Sequence, residues 1–194
     1  MINFLALAAA AAVQVAPAAA PYTLQTLPGT KVHYYDVSGA SAGAIQSSLD
    51  HMIKSQPKTA GELFTWTVSI NATQDTTAGV CKIASAKAVL DANVYLPRLQ
   101  QEAQVPSTDL ERWKAYETGL EQTAFDNLKF VTDRLPAIEQ SLVGKPCDQA
   151  ATIWNGSVQS LMKQQQAYDR KHTRPMQDNS NPFASPAGRM QTPY

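Results

Sequence analysis

Three histidines, two cysteines and a scatter of carboxylates are the residues of this 194-residue chain that could carry hydrolytic or metal chemistry. A zinc peptidase helix needs two imidazoles one turn apart with a glutamate beside them to activate water, the H-E-x-x-H pattern. His33, His51 and His172 cannot form it, and none of them falls between positions 107 and 142. Asp169 and His172 stand three apart and Glu117 and Glu121 four apart, spacings that set each pair on one helix face. A solvated helix face shows the same spacings, and that is the reading taken here for both pairs, with Asp169 and His172 kept as the alternative metal ligands. There is no G-x-S-x-G nucleophile turn and no C-x-x-C pair that would lower a thiol pKa.

The two cysteines, Cys81 and Cys147, point to structure rather than catalysis. Residues 1–20 contain no charged side chain, and an apolar run from Phe4 to Val15 ends in Ala16-Pro17-Ala18-Ala19-Ala20. The run is shorter than the roughly 20 residues a spanning helix requires, and small residues follow it, which reads as a secretory signal peptide removed after Ala18, Ala19 or Ala20. Export to the periplasm or beyond would place the cysteines in an oxidising compartment, so a Cys81–Cys147 disulfide is expected, two separate buried thiols being the alternative. After signal removal no integral membrane segment is expected. The 16 basic and 16 acidic side chains cancel, leaving no field to steer the chain toward nucleic acid or an anionic membrane.

The positioning elements follow from periodicity. Lys31–Val37 is rich in β-branched and aromatic residues and reads as a strand stopped by Ser38-Gly39. From Ser41 to Lys54, Ala44, Ile45, Leu49, Met52 and Ile53 recur at helical spacing behind a capping serine. Leu63–Ile70 and Cys81–Leu96 read as an antiparallel hairpin with a polar loop at Asn71–Gly79, the second strand ending at Pro97. Ser107-Thr108-Asp109 offers N-cap chemistry to a helix carrying Trp113, Tyr116, Leu120, Ala124, Leu128, Val131 and Leu135, broken near Pro136. A second long helix follows Cys147, with Ile153, Trp154, Val158, Leu161 and Met162 on its apolar face, and ends near His172.

Certain of these residues carry a resemblance. YYDVSG at Tyr34–Gly39, Trp66 on the next strand, CKIASAKAVLDANVYLP at Cys81–Pro97, Trp113 with Tyr116, and AYDR at Ala167–Arg170 together resemble the bacterial family of predicted secreted zinc-dependent proteases, also called domain of unknown function 922. The resemblance covers roughly residues 30–174 and implies a zincin-like scaffold with zinc on the first long helix. In that family H-E-x-x-H begins ten residues after the helix tryptophan, which falls here on Thr123-Ala124-Phe125-Asp126-Asn127. Thr123 and Asn127 stand in place of the histidines and Ala124 in place of the catalytic glutamate, and Arg174 stands where a third histidine ligand would follow the Tyr-Asp pair.

The sequence therefore leads to these expectations. The fold is α+β, a small antiparallel or mixed sheet with one short helix and two long C-terminal helices, in a single domain at 21–175 followed by an unstructured tail at 176–194. The protein is exported and catalytically inactive, without zinc, and binds a protein, peptide or cell-envelope component through the former active-site groove. The alternative is an active metal-dependent hydrolase that gathers Glu121, Asp126, Asp169 and His172.

Overall fold

The structure is a computed structural model and describes residues 23–57, 61–172 and 182–183. The predicted signal peptide at 1–20 and most of the tail at 176–194 lie outside them.

The sheet is built on its longest strand, β3 (Lys82–Leu99). Ala88, Leu90, Ala92, Val94 and Leu96 are buried at every second position, as a pleated strand with one face on a core requires. Strand β1 (Thr30–Val37) pairs with it in parallel, Thr30 opposite Ala92 and Val37 opposite Leu99. Strand β2 (Phe64–Asp75) pairs on the other side, antiparallel, Phe64 opposite Val94 and Asp75 opposite Lys82. The result is a mixed sheet of order β1-β3-β2 within an α+β chain. Entry into β1 is tight: Gly29 has φ +76°, and a Cβ there would lie 1.9 Å from the Leu90 carbonyl oxygen.

The hairpin is present, but two of its expected limits are corrected. β2 runs on to Asp75 rather than stopping at Ile70, because its polar residues pair as well as apolar ones on an edge exposed to water. Asp75 then closes the turn by accepting from the Thr77 amide at 2.8 Å. At the far end Pro97 does not stop β3, which continues to Leu99. The amides of Ala92 and Gln100 donate toward β1, to Gly29 and Val37, so even positions face β1 and odd positions face the other side. At Pro97 that other side is already beyond the start of β2, and the missing N–H forfeits no ladder bond. A bulge between Thr73 and Gln74 leaves Ala84 unpaired and switches parity, which is why odd-numbered Ile83 is buried while its neighbours along the strand are even.

Helix α1 (Ala42–Ser55) starts as its sequence indicates, with the Ser41 hydroxyl accepting from the Ala44 amide at 3.4 Å. Helix α2 (Ser107–Thr132) does not use the expected side-chain cap. It begins behind Pro106, whose carbonyl accepts from the Asp109 and Leu110 amides, and Asp109 acts only as a first-turn carboxylate facing the helix dipole. The break near Pro136 makes a separate helix, α3 (Leu135–Leu142), with the proline in the first turn where no amide donor is needed. Among the described residues there are thus two short α-helices, α1 and α3, rather than one before the last long helix, α4 (Cys147–His172).

Two hydrophobic clusters use opposite faces of the sheet. The first joins the even positions of β3 to Ala124, Leu128 and Val131 of α2, Leu135 and Ile138 of α3, Leu161 of α4, and Leu24 and Leu27 ahead of β1. The second joins Tyr35, Val37 and Leu99 to Ile45 and Leu49 of α1 and to Trp113 of α2. Phe183, one of the described tail residues, packs against this second cluster.

The expected disulfide joins Cys81 and Cys147 with a Cα separation of 5.5 Å. It continues a short ladder in which the Ile83 amide donates to the Lys145 carbonyl at 2.9 Å and the Gly144 amide donates to the Ile83 carbonyl at 2.8 Å. The start of α4 is thereby fixed to the start of β3. On the same strand the Ala88 amide donates to Glu139 of α3 at 2.8 Å, filling a position that β1 does not reach.

Candidate functional site

Thr123, Ala124 and Asn127, the positions that the resemblance sets against the peptidase motif, lie where α2 faces the last turns of α4. Helical spacing brings Thr123 and Asn127 onto one side of α2, and Gln165 and Asp169 onto one side of α4. Asn127 is 1% exposed although it is an amide, so its polar atoms need partners. Nδ2 donates to the Thr123 carbonyl at 3.0 Å and to Asp169 Oδ1 at 3.2 Å, and Oδ1 accepts from Gln165 Nε2 at 2.9 Å. Gln165 is itself buried. Ala124 is fully buried in the first cluster and brings no polar atom.

Beside this clasp runs an open groove of about 720 Å³ between the beginning of β2 and the two long helices. Phe64, Trp66, Leu120 and Met162 supply apolar wall, and Gln166 and Asp169 supply polar wall. β2 is an edge strand. The Leu63 carbonyl accepts from the Tyr95 amide, so odd positions of β2 address β3 and the backbone groups of Phe64 and Trp66 face outward. An outward row of donors and acceptors next to apolar seats is what an extended chain needs for strand addition.

A second open groove of about 700 Å³ shares Thr123 and is lined also by Thr118, Gln122, Asp126 and His172. His172 stacks on Tyr168 at 4.1 Å and its Nδ1 lies 2.8 Å from the Tyr168 carbonyl. Asp126 accepts from Gln122 Nε2 at 2.9 Å. Asp169 and His172 are therefore drawn to different neighbours, one to Asn127 and the other to its own helix. Glu117 lies nearer the start of α2, beside Trp113 and the Leu99 amide. Burial raises its carboxyl pKa, opposed by the indole of Trp113 and the backbone at Leu99. His33 sits on the exposed sheet face, 2.9 Å from Asn93 Oδ1 and stacked on Tyr95, and His51 is exposed on α1.

Zinc does not fit the motif positions. Ala124 has no ligand or base atom, the Asn127 oxygen and nitrogen are both spent on protein partners, and a carboxamide is a poor zinc donor beside imidazole or thiolate. Among the described residues no group of three or more His, Cys, Asp or Glu is gathered in a way that could hold a metal ion. Arg174, opposite the expected third ligand, lies outside the described residues. Gln165 was not singled out by sequence. Its signal was a pair of polar residues, Gln165 and Asp169, four apart on the helix side that also carries Leu161.

No helix among the described residues is long and apolar enough to cross a membrane. No curated protein matches the chain, and no solved structure does. The family model described as "Bacterial protein of unknown function (DUF922)" matches residues 32–176, a span that runs from within β1 to just past the end of α4 and includes the Asn127 clasp, and the chain belongs to that family.

Proposed function

We propose that this protein is an exported, catalytically silent relative of secreted zinc peptidases that binds an extended segment of an envelope protein or peptide in the groove between β2 and the long helices. The observation that carries the reading is the Asn127 clasp: the positions that would hold two histidines and a glutamate are occupied by Thr123, Ala124 and Asn127, and Asn127 spends both polar atoms on the protein itself. The groove next to it keeps an outward strand edge and the apolar seats of Phe64, Trp66 and Met162. Main-chain pairing would supply affinity and the seats would select side chains. The apolar leader at the N-terminus and the Cys81–Cys147 bridge support export.

The chain from residue 21 onward, purified with zinc present and dialysed extensively, is expected to retain sub-stoichiometric zinc by elemental mass spectrometry. It is also expected to bind members of a panel of unstructured peptides, with Trp66→Ala weakening that binding several-fold. One zinc per chain would overturn the silent-peptidase reading and direct attention to Asp126, Asp169 and His172.

A further inference from the structure

The groove beside β2 carries charge of one sign. Its ionisable lining among the described residues is Glu62 and Asp169, both carboxylates, with no lysine, arginine or histidine beside them. Asp169 already accepts from the Asn127 amide, whereas Glu62 is exposed just ahead of β2. The extended pairing reaches back nearly to Glu62, since the Leu63 carbonyl still accepts from the Tyr95 amide at 2.9 Å. Glu62, Phe64 and Trp66 stand two residues apart along this stretch, a repeat of roughly 7 Å, and all three line the groove. The two rings are half-buried, so each keeps surface to offer.

We propose that the segment bound in this groove carries an arginine, seated over Phe64 with its charge at Glu62, and an apolar residue two positions away on Trp66. The inference rests on the groove being the binding site, as proposed above, and adds the chemistry of its occupant. A strand added to β2 repeats its same-face side chains at the spacing of β2 itself, so an apolar residue beside Trp66 sets the next such side chain beside Phe64. The apolar stem and planar guanidinium of arginine suit an aromatic face, and the length of the side chain carries the charge on to the carboxylate. A glutamate in the same place meets charge of its own sign. The 16 basic and 16 acidic side chains cancel over the whole chain, so the selection is made locally, by Glu62 and the two rings, rather than by a general attraction for cations.

The test uses the full chain and three capped peptides of alternating valine and serine, identical except for arginine, citrulline or glutamate in place of one central valine. Binding is followed by the anisotropy of a dye on the peptide. The arginine peptide should bind roughly threefold to tenfold more tightly than the citrulline peptide, the size of one exposed ion pair with a stacked cation, and the glutamate peptide most weakly. The advantage of arginine should shrink as salt is raised. Glu62→Gln should bring arginine and citrulline to within about twofold of each other, and Glu62→Lys should turn the preference toward the glutamate peptide, a reversal that loss of packing alone does not produce. Equal binding of the three peptides, or a preference for arginine that survives Glu62→Gln, would overturn the inference while leaving the groove as the binding site, provided Trp66→Ala still weakens all three. Failure of every peptide to bind, or binding that Trp66→Ala leaves untouched, would overturn the proposed function and this inference together.

Discussion

Helix α4 is held in two different ways. Its first residue is bonded covalently to the start of β3 through Cys147 and Cys81, with backbone hydrogen bonds at Ile83 and Gly144 alongside. Its last turns meet α2 through the Asn127, Gln165 and Asp169 side chains, next to the groove that opens on β2. The covalent end acts mainly on the unfolded chain, by closing a loop of 66 residues, and has no bearing on specificity. The polar end stabilises little in net terms, because each bond replaces bonds to water, yet it fixes which residues face each other across the helix pair. One end secures the scaffold, and the other sets the shape of the surface that binding would use.

Removal of the covalent tie is the largest test of this contrast. Replacing both Cys81 and Cys147 with serine should cost about 4 kcal/mol by loop entropy, lowering the melting temperature by roughly 10 °C, as calorimetry would show. The groove should survive in the fraction that remains folded, with peptide binding unchanged. Breaking the polar tie should do the reverse in kind. Asn127→Ala leaves Gln165 and Asp169 without their buried partner and should cost about 2 kcal/mol in a urea titration, with peptide binding in the groove also weakened. If Asn127→Ala lowers stability but leaves binding intact, both ties are merely scaffold and the contrast collapses.

The smallest expected effect lies away from both ends, at Glu117 beside Trp113. Its folded pKa is raised by burial, so the folded chain holds this proton more tightly than the unfolded one. Stability contributed by the neutral carboxyl is present below the usual glutamate range and is lost as pH rises through the folded value. Glu117→Gln should therefore flatten the pH dependence of stability just above the usual carboxylate range. A small gain in stability is expected at neutral pH and none near pH 4, measurable by parallel urea titrations. It should leave the effects of the Cys81, Cys147 and Asn127 changes unaltered, since additivity holds for sites that share no partners.

Much of the scaffold was legible because its signals are local. The periodicity of α1, α2 and α4 and the alternation of β3 are written within windows of a few turns, and the break at Pro136 follows from one residue's chemistry. Pro97 was misread because a proline's effect on a strand depends on which side its missing N–H faces and where the neighbouring strand begins, neither of which is local. The same limit explains Asn127. Its sequence shows only that no histidine is there, and its role depends on Gln165 and Asp169, brought alongside by the packing of a helix far along the chain. Phe183 is the extreme case, an aromatic in a polar stretch that packs against a cluster drawn from β1, β3, α1 and α2.

The strand order also dictates when the molecule can form. β1 is completed first during synthesis, yet among the described residues its only strand partner is β3, and Thr30 must wait for Ala92. A chain cut after β2 would hold two strands that do not pair with each other. Closing the parallel β1–β3 contact spans all of α1 and β2, a costly loop that slows folding relative to a helical chain of this length. β2 can begin to pair as soon as β3 starts at Lys82, whereas β1 has no strand to commit to until β3 has been made past Ala92, and it stays available, unpaired, to whatever handles the chain before then.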